Sequence, residues 1–218
     1  VALAEGGNYV TVCAEQRDKS WPQKEEMNSV KIRRWWCLYK RKLHVITSLL
    51  GLAEFLLRNG RGFNVWHVHQ YGMHATLAVA IGKMLRRPVI LKLTSTGPQG
   101  LAATLATAQL GALQRWAHRH VSACIAVSAE AAAEAVAFGI PERRVVEIPN
   151  GIETTRFAPV GPEERARLRQ ALGLDPSRQV ALFVGRMATE KNPLALLHAW
   201  ALLKPRLTQP WTLVMVGD

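Results

Sequence analysis

The chain has 218 residues, 49% of them apolar and 20% charged, which is enough to bury a real core and excludes a disordered tail. Its 28 Lys and Arg stand against 16 Asp and Glu, a formal charge of +12 that favours anionic partners. Cys13, Cys37 and Cys124 are odd in number and far apart, with no CxxC pair, the pattern of a reducing compartment rather than of a disulfide framework or a zinc site.

In chain order, VALAEGG at the start reads as the tail of a helix stopped by Gly6 and Gly7. Residues 8–14 and 30–34 predict short strands, and 43–59 predict a helix closed by Gly60 and Gly62. FNVWHVH at 63–69 is a strand, 73–86 a helix, and PVILKLT at 88–94 an apolar strand. One long helix is expected over 101–120, then a strand over 121–127. Ser128 is placed to cap the next helix, which Gly139 and Pro141 end. Residues 144–148 return as a strand into Pro149-Asn150-Gly151. The remainder predicts a helix over 163–172 with Pro162 at its start, a strand over 179–184, a helix over 193–204 and a strand over 211–216. The apolar runs near 43–57 and 101–113 are interrupted and too short to span a bilayer.

Val-, Ile- and Leu-rich strands alternating with helices imply βαβ units and a parallel sheet covered on both faces. In such sheets ligands sit at the carboxyl ends of the strands, beside helix N-termini. Residues 153–177 are rich in Pro, charge and turn formers and read as a connector, so the chain is expected to split into 1–152 and 153–218. Neither an internal repeat nor a low-complexity tract is visible.

Charge is shared unevenly: residues 1–150 hold 19 basic and 10 acidic groups, and 151–218 hold 9 and 6. Much of the excess lies in VKIRRWWCLYKRK, which starts at Val30 and ends at Lys42 and interleaves six cations with Trp35, Trp36 and Tyr39. Such a segment suits an anionic membrane surface, or it is a solvated loop whose aromatics pack on the core. No nucleic-acid module accompanies it, so nucleic acid is not expected as a partner.

The most pointed stretch is FVGRMATEKNP at 183–193. Gly185 is expected to turn the backbone sharply at a strand end, with Arg186 and Lys191 flanking the crevice that follows. Asn192 is placed to cap a helix and Pro193 suits its first position. Two cations beside a helix N-terminus make a site for a multiply charged anion such as a diphosphate. The plainer reading pairs Arg186 with Glu190 and leaves Lys191 solvated. His67 and His69 share one face of their strand and His74 is near in sequence, but no third ligand or supporting shell can be named, so no metal site is expected there. No GxGxxG, Walker loop, HExxH or GxSxG appears.

The text from VSAEAAAEAVAFGIPERRVVEIPNGIETTRFAP through RQALGL, VALFVGRMATEKNPLALLHAW and LVMVGD closely resembles the retaining family-4 glycosyltransferases of GT-B fold. The likeness is specific from about Val121 onward and consistent upstream, where FNVWHVH matches the family's strand ending in HVH. It implies an α/β protein of two Rossmann-like, doubly wound parallel-sheet domains, acceptor side first and donor side second. By the same resemblance Arg186 and Lys191, with Gly185, bind the diphosphate of a nucleotide-sugar donor. Asn150, Gly151, Glu190, His69, Thr94, Ser95 and Gly97 become candidates for the cleft between the domains. A retaining transfer without metal or other cofactor is implied, onto a glycan or lipid-linked acceptor, by a cytoplasmic protein peripheral to the membrane.

Three departures stand out. Asn64 and Glu153 replace an Asp that is usual or commoner in the family, and Thr94 stands where many members have a His near the reaction centre. Thr94 hydrogen-bonds a sugar hydroxyl but does not titrate near neutral pH, so no catalytic histidine is expected there. The resemblance also implies a chain truncated at both ends, lacking the first strand of its first domain and much of its second. Such a chain is expected to be poorly stable and inactive alone. Other readings are a nucleotide-sugar epimerase or glycan phosphorylase of the same fold, or a non-catalytic protein binding membrane through its basic segment.

Overall fold

A computed structural model describes the backbone of residues 2–218 except Thr107 and Gln109, and the side chains of these residues except Arg41, Lys42 and Gln99. The chain divides into two compact units, Val1–Gly151 and Ile152–Asp218.

The first unit opens with α1 (Ala2–Glu5), β1 (Val10–Gln16), β2 (Lys24–Met27), β3 (Val30–Trp36) and α2 (Arg41–Asn59). It continues with β4 (Trp66–His69), α3 (Met73–Leu85), β5 (Val89–Leu93), α4 (Leu101–Ala106), α5 (Gly111–Arg119), β6 (Ala123–Ala126), α6 (Ala129–Phe138) and β7 (Val145–Glu147). Its strands form two sheets. One has the order β1-β3-β2, with β1 parallel and β2 antiparallel to β3, and the other is parallel in the order β4-β5-β6-β7. The second unit holds α7 (Pro162–Ala171), β8 (Gln179–Val184), α8 (Pro193–Leu203) and β9 (Trp211–Val216), with β8 parallel to β9.

The core belongs to the four-stranded sheet. Leu91 and Leu93 of β5, Cys124 of β6, Leu101 and Leu105 of α4, and Ile140 are almost fully buried. Small residues of α3, Ala75, Ala78 and Gly82, let that helix approach the strands closely. A Cβ on Gly82 would meet Val89 Cγ2 at 2.6 Å, so only glycine fits there.

Three local expectations need correction. The helix expected over 101–120 is two helices, because Leu110 adopts a left-handed φ of 58° and α5 starts anew at Gly111. Thr107 and Gln109, in the same stretch, lie outside the described residues. The strand β2 was not foreseen, since KEEM is charged and lacks β-branched residues. Its cause is the turn that follows it: Asn28 and Ser29 both take positive φ, 50° and 60°, the two-residue reversal that joins tightly paired antiparallel strands. Finally, the strand expected from residue 63 starts only at Trp66.

Candidate functional site

The polar residues singled out in the sequence lie at carboxyl ends of parallel strands. In the second unit β8 runs out at Val184, yet pairing with the neighbouring strand continues: Gly185 N–H donates to the Val216 carbonyl at 2.9 Å and Met187 N–H to the Asp218 carbonyl at 2.8 Å. The chain bends at Gly185, as expected, while keeping these two bonds to the neighbouring strand end. A Cβ on Gly185 would only touch the Phe183 ring at 3.4 Å. The constrained glycine is Gly217, where a Cβ would stand 1.8 Å from the Gly185 carbonyl oxygen. Sequence reasoning noticed Gly217 only as part of a motif and missed this contact, which depends on two strands meeting in register.

Arg186 Nη2 is 2.5 Å from Glu190 Oε1, so the plainer reading of this pair is the arrangement present. The Arg186 side chain is 66% exposed, and an ion pair in such a setting contributes about 0–1 kcal/mol, little enough for a polyanion to displace the carboxylate. Lys191 is exposed and enters no ion pair among the described residues. Asn192 takes a left-handed φ of 49° and its side-chain oxygen accepts from Ala195 N–H at 3.3 Å, with Pro193 first in α8, as expected for the start of that helix. The stretch thus presents a loosely held guanidinium, a free-standing ammonium and a capped helix N-terminus, a chemistry suited to phosphate oxygens.

In the first unit His69 ends β4 and stacks on His67 at 4.5 Å. Partial desolvation, then the neighbouring His69 and Lys92, lower the His67 pKa. His74 Nε2 donates to the His69 carbonyl at 3.1 Å, and the three imidazoles do not converge into a ligand set among the described residues. Thr94 follows β5, and its hydroxyl accepts from Gln70 Nε2. Gly97, at a φ of +63°, donates its N–H to Glu134 Oε2 at 3.2 Å, while Ala102 N–H donates to Glu134 Oε1 at 3.2 Å. Glu134 thus clamps the loop that carries Ser95 and Gly97. Asn150 accepts from Lys92 Nζ at 2.8 Å, and Gly151 has open space where a Cβ would be.

Glu134, Gln70, Lys92 and His118 were not singled out from sequence. Lys92 left a readable signal, a charge inside the apolar run PVILKLT. Glu134 left none, because its partners are more than thirty residues away in the chain. His118 is buried, donates from Nδ1 to the Gln114 carbonyl at 2.5 Å and accepts at Nε2 from Gly72 N–H at 3.2 Å. Burial lowers its pKa, so it is a neutral imidazole holding the turn before α3 in place.

Successive α/β units with polar groups at their strand ends make an α/β protein, and its structural likeness to solved glycosyltransferases gives it the GT-B type of fold. The chain belongs to Glycosyltransferase Family 4, whose profile matches residues 1–156, and residues 164–218 match Glycosyl transferases group 1. Among solved structures, HepE from Anabaena in complex with UDP is 18% identical, with a TM-score of 0.63 over 86% of this chain and 47% of its own. The UDP-forming α,α-trehalose-phosphate synthase from Burkholderia vietnamiensis is 12% identical, with a TM-score of 0.64 over 100% of this chain and 59% of its own. At these identities the likeness concerns the fold. α-Maltose-1-phosphate synthase from Mycobacterium tuberculosis is 40% identical over 52 residues, 24% of this chain and 13% of that protein. The chain therefore spans about half the length of the solved structures it matches and far less of this curated relative.

Proposed function

We propose that this chain serves nucleotide-sugar-dependent glycosyl transfer, with Arg186 and Lys191 binding the donor diphosphate. The observation that carries this reading is the loop from Gly185 to Asn192, pinned by Gly217, which places both cations beside the capped start of α8. HepE has been captured with UDP and with UDP-glucose, which supports a nucleotide-sugar donor for a chain of the same fold. As the sugar–phosphate bond breaks, negative charge grows on the diphosphate, and the guanidinium, the ammonium and the helix N-terminus oppose it. Those groups would do the work of a divalent ion, which makes metal-independent transfer part of the proposal, while retention is carried over from the family resemblance alone.

The acceptor, a glycan or a lipid-linked sugar, is assigned to the first unit, where His69, Thr94, Ser95 and Asn150 offer hydrogen bonds at strand ends. The test starts from inorganic pyrophosphate as the probe. Calorimetry should show binding that Arg186→Ala and Lys191→Ala each weaken about tenfold or more. In the active protein, Arg186→Ala should lower kcat by about 10²–10³ with acceptor binding nearly intact. Undiminished turnover in that variant overturns the assignment.

A second reading is compatible with the first: the segment from Val30 to Lys42 contacts an anionic membrane surface. It is favoured by the exposure of Trp36 (47%) and Tyr39 (50%) at and beyond the end of β3, the strand that also carries Lys31 and Arg33. A groove of about 740 Å³ between β3 and α2, lined by Arg33, Arg34, Trp36, Leu50 and Arg58 among others, suits a phosphorylated headgroup. The protein would then work as a peripheral protein at the cytoplasmic membrane face. No described helix is long and apolar enough to cross a membrane.

A further inference from the structure

Three side chains remote in sequence meet where β1, β3 and α2 come together. Glu15 is the penultimate residue of β1, Cys37 directly follows β3, and His44 lies in the first turn of α2. The parallel register of β1 and β3 pairs Gln16 with Trp36, which brings Glu15 and Cys37 to the same end of the sheet. The Glu15 carboxylate, the Cys37 sulfur and a His44 ring nitrogen all lie within 4.8 Å of one another. His44 Nε2 is 3.1 Å from Glu15 Oε2, and Cys37 is only 2% exposed.

The cluster also has an outer layer that fixes its geometry. Ser48 Oγ donates to Glu15 Oε1 at 2.5 Å, and the Tyr39 hydroxyl donates to Glu15 Oε2 at 3.4 Å. The Tyr39 ring stacks on His44 with centroids 4.8 Å apart. Leu38 N–H donates to Thr47 Oγ1 at 3.0 Å, tying the loop after Cys37 to α2. Oriented carboxylates and imidazoles of this kind are what metal sites build around their ligands.

We propose that Glu15, Cys37 and His44 form a transition-metal site that takes Zn²⁺, with its fourth position open to solvent or to a bound ligand. A thiolate, an imidazole and a carboxylate select Zn²⁺ over Mg²⁺ or Ca²⁺, which want oxygen ligands alone. Tetrahedral bonds of about 2.0–2.3 Å require the three donor atoms to close to roughly 3.5 Å. Metal binding on this proposal therefore draws the Glu15 and His44 side chains toward the Cys37 sulfur. The site lies on elements of the first unit, whereas the proposed diphosphate-binding loop belongs to the second, and it stands whether or not that loop binds a donor. It also shows why cysteine spacing missed it: the ligands come from two strand ends and a helix, one from each.

The test is a titration of the chain with Co²⁺ under a non-thiol reductant. One equivalent should bring up a thiolate-to-cobalt charge-transfer band and the visible bands of tetrahedral cobalt, and Zn²⁺ should bleach both. Cys37→Ser should abolish the charge-transfer band, while Cys13→Ser and Cys124→Ser leave it. His44→Ala and Ser48→Ala should weaken Co²⁺ binding about tenfold or more. Absence of the band in the unmutated chain, or its survival in Cys37→Ser, overturns the proposal and leaves Glu15 and His44 as a plain strand-to-helix hydrogen bond. Because the first readout needs no mutant, misfolding of a variant cannot mask the answer.

Discussion

A methyl group at position 217 would sit 1.8 Å from the Gly185 carbonyl oxygen, and the same group at position 185 would rest at 3.4 Å from a phenyl ring. These two glycines of the second unit therefore carry different constraints. Gly217→Ala forces the two strands apart and costs about 1–3 kcal/mol, as overpacking does elsewhere. Gly185→Ala makes an ordinary contact and costs little. The displaced strand end also carries Arg186, so Gly217→Ala should weaken pyrophosphate binding as well. Urea unfolding and calorimetry of the two variants check this, and a Gly185→Ala variant more damaged than Gly217→Ala would refute the packing account. Arg186, Lys191 and Asn192 were legible because strand-end cations and an Asn-Pro helix start are local signals. The ranking of the two glycines was not, since it depends on an atom thirty-two residues away along the chain.

At the level of elements, β3 and α2 show one part of the basic segment packed on the core and another left exposed. Trp35 packs beneath α2, whose Gly51 has no room for a Cβ because Trp35 Cδ1 would lie 2.4 Å from it. Trp36 and Tyr39, by contrast, stay exposed. Lys31 sits over the Tyr9 ring at 4.8 Å, and Arg34 is committed to Glu25 at 2.7 Å, so Arg33 is the strand cation best placed to meet a headgroup. Binding to vesicles containing phosphatidylserine should fall about fivefold or more on Arg33→Glu, at roughly 1 kcal/mol for each basic group brought to the surface. Trp36→Ala should weaken it further, whereas Arg34→Gln should disturb β2 pairing more than binding. Equal sedimentation of the unmutated chain and Arg33→Glu with those vesicles would end the membrane reading. Alternation of strands and helices made the parallel sheet of β4 to β7 readable in advance. The break between α4 and α5 was not readable, because the left-handed residue there is a leucine, a side chain that rarely marks a helix end.

For the whole molecule the decisive variable is pH, because a chain of formal charge +12 gains further positive charge as acid is added. Three groups set the windows, and His67, lowered by partial burial and then by His69 and Lys92, shares that of His118. His118 is neutral in the folded chain, and burial lowers its pKa below the unfolded value of about 6.5. Its contribution is therefore complete above that value and is lost as pH falls through the lower folded pKa, since only the unfolded chain takes up the proton. Glu15 is also lowered. Desolvation pushes it up, but hydrogen bonds from Ser48 and His44 outweigh that, so its contribution is present above about 4.3 and lost further into acid. The urea midpoint should hence fall first as pH drops below about 6.5, with a slope of at most about 2.7 kcal/mol per pH unit for the two histidine protons. His118→Gln should lower stability at pH 7.5 by breaking the tie to Gly72, yet flatten that first decline, and leave the second one below pH 4.3 in place. A variant that keeps the full slope below about pH 6.5 would move the acid sensitivity away from His118 and onto His67 or the general repulsion of a basic surface.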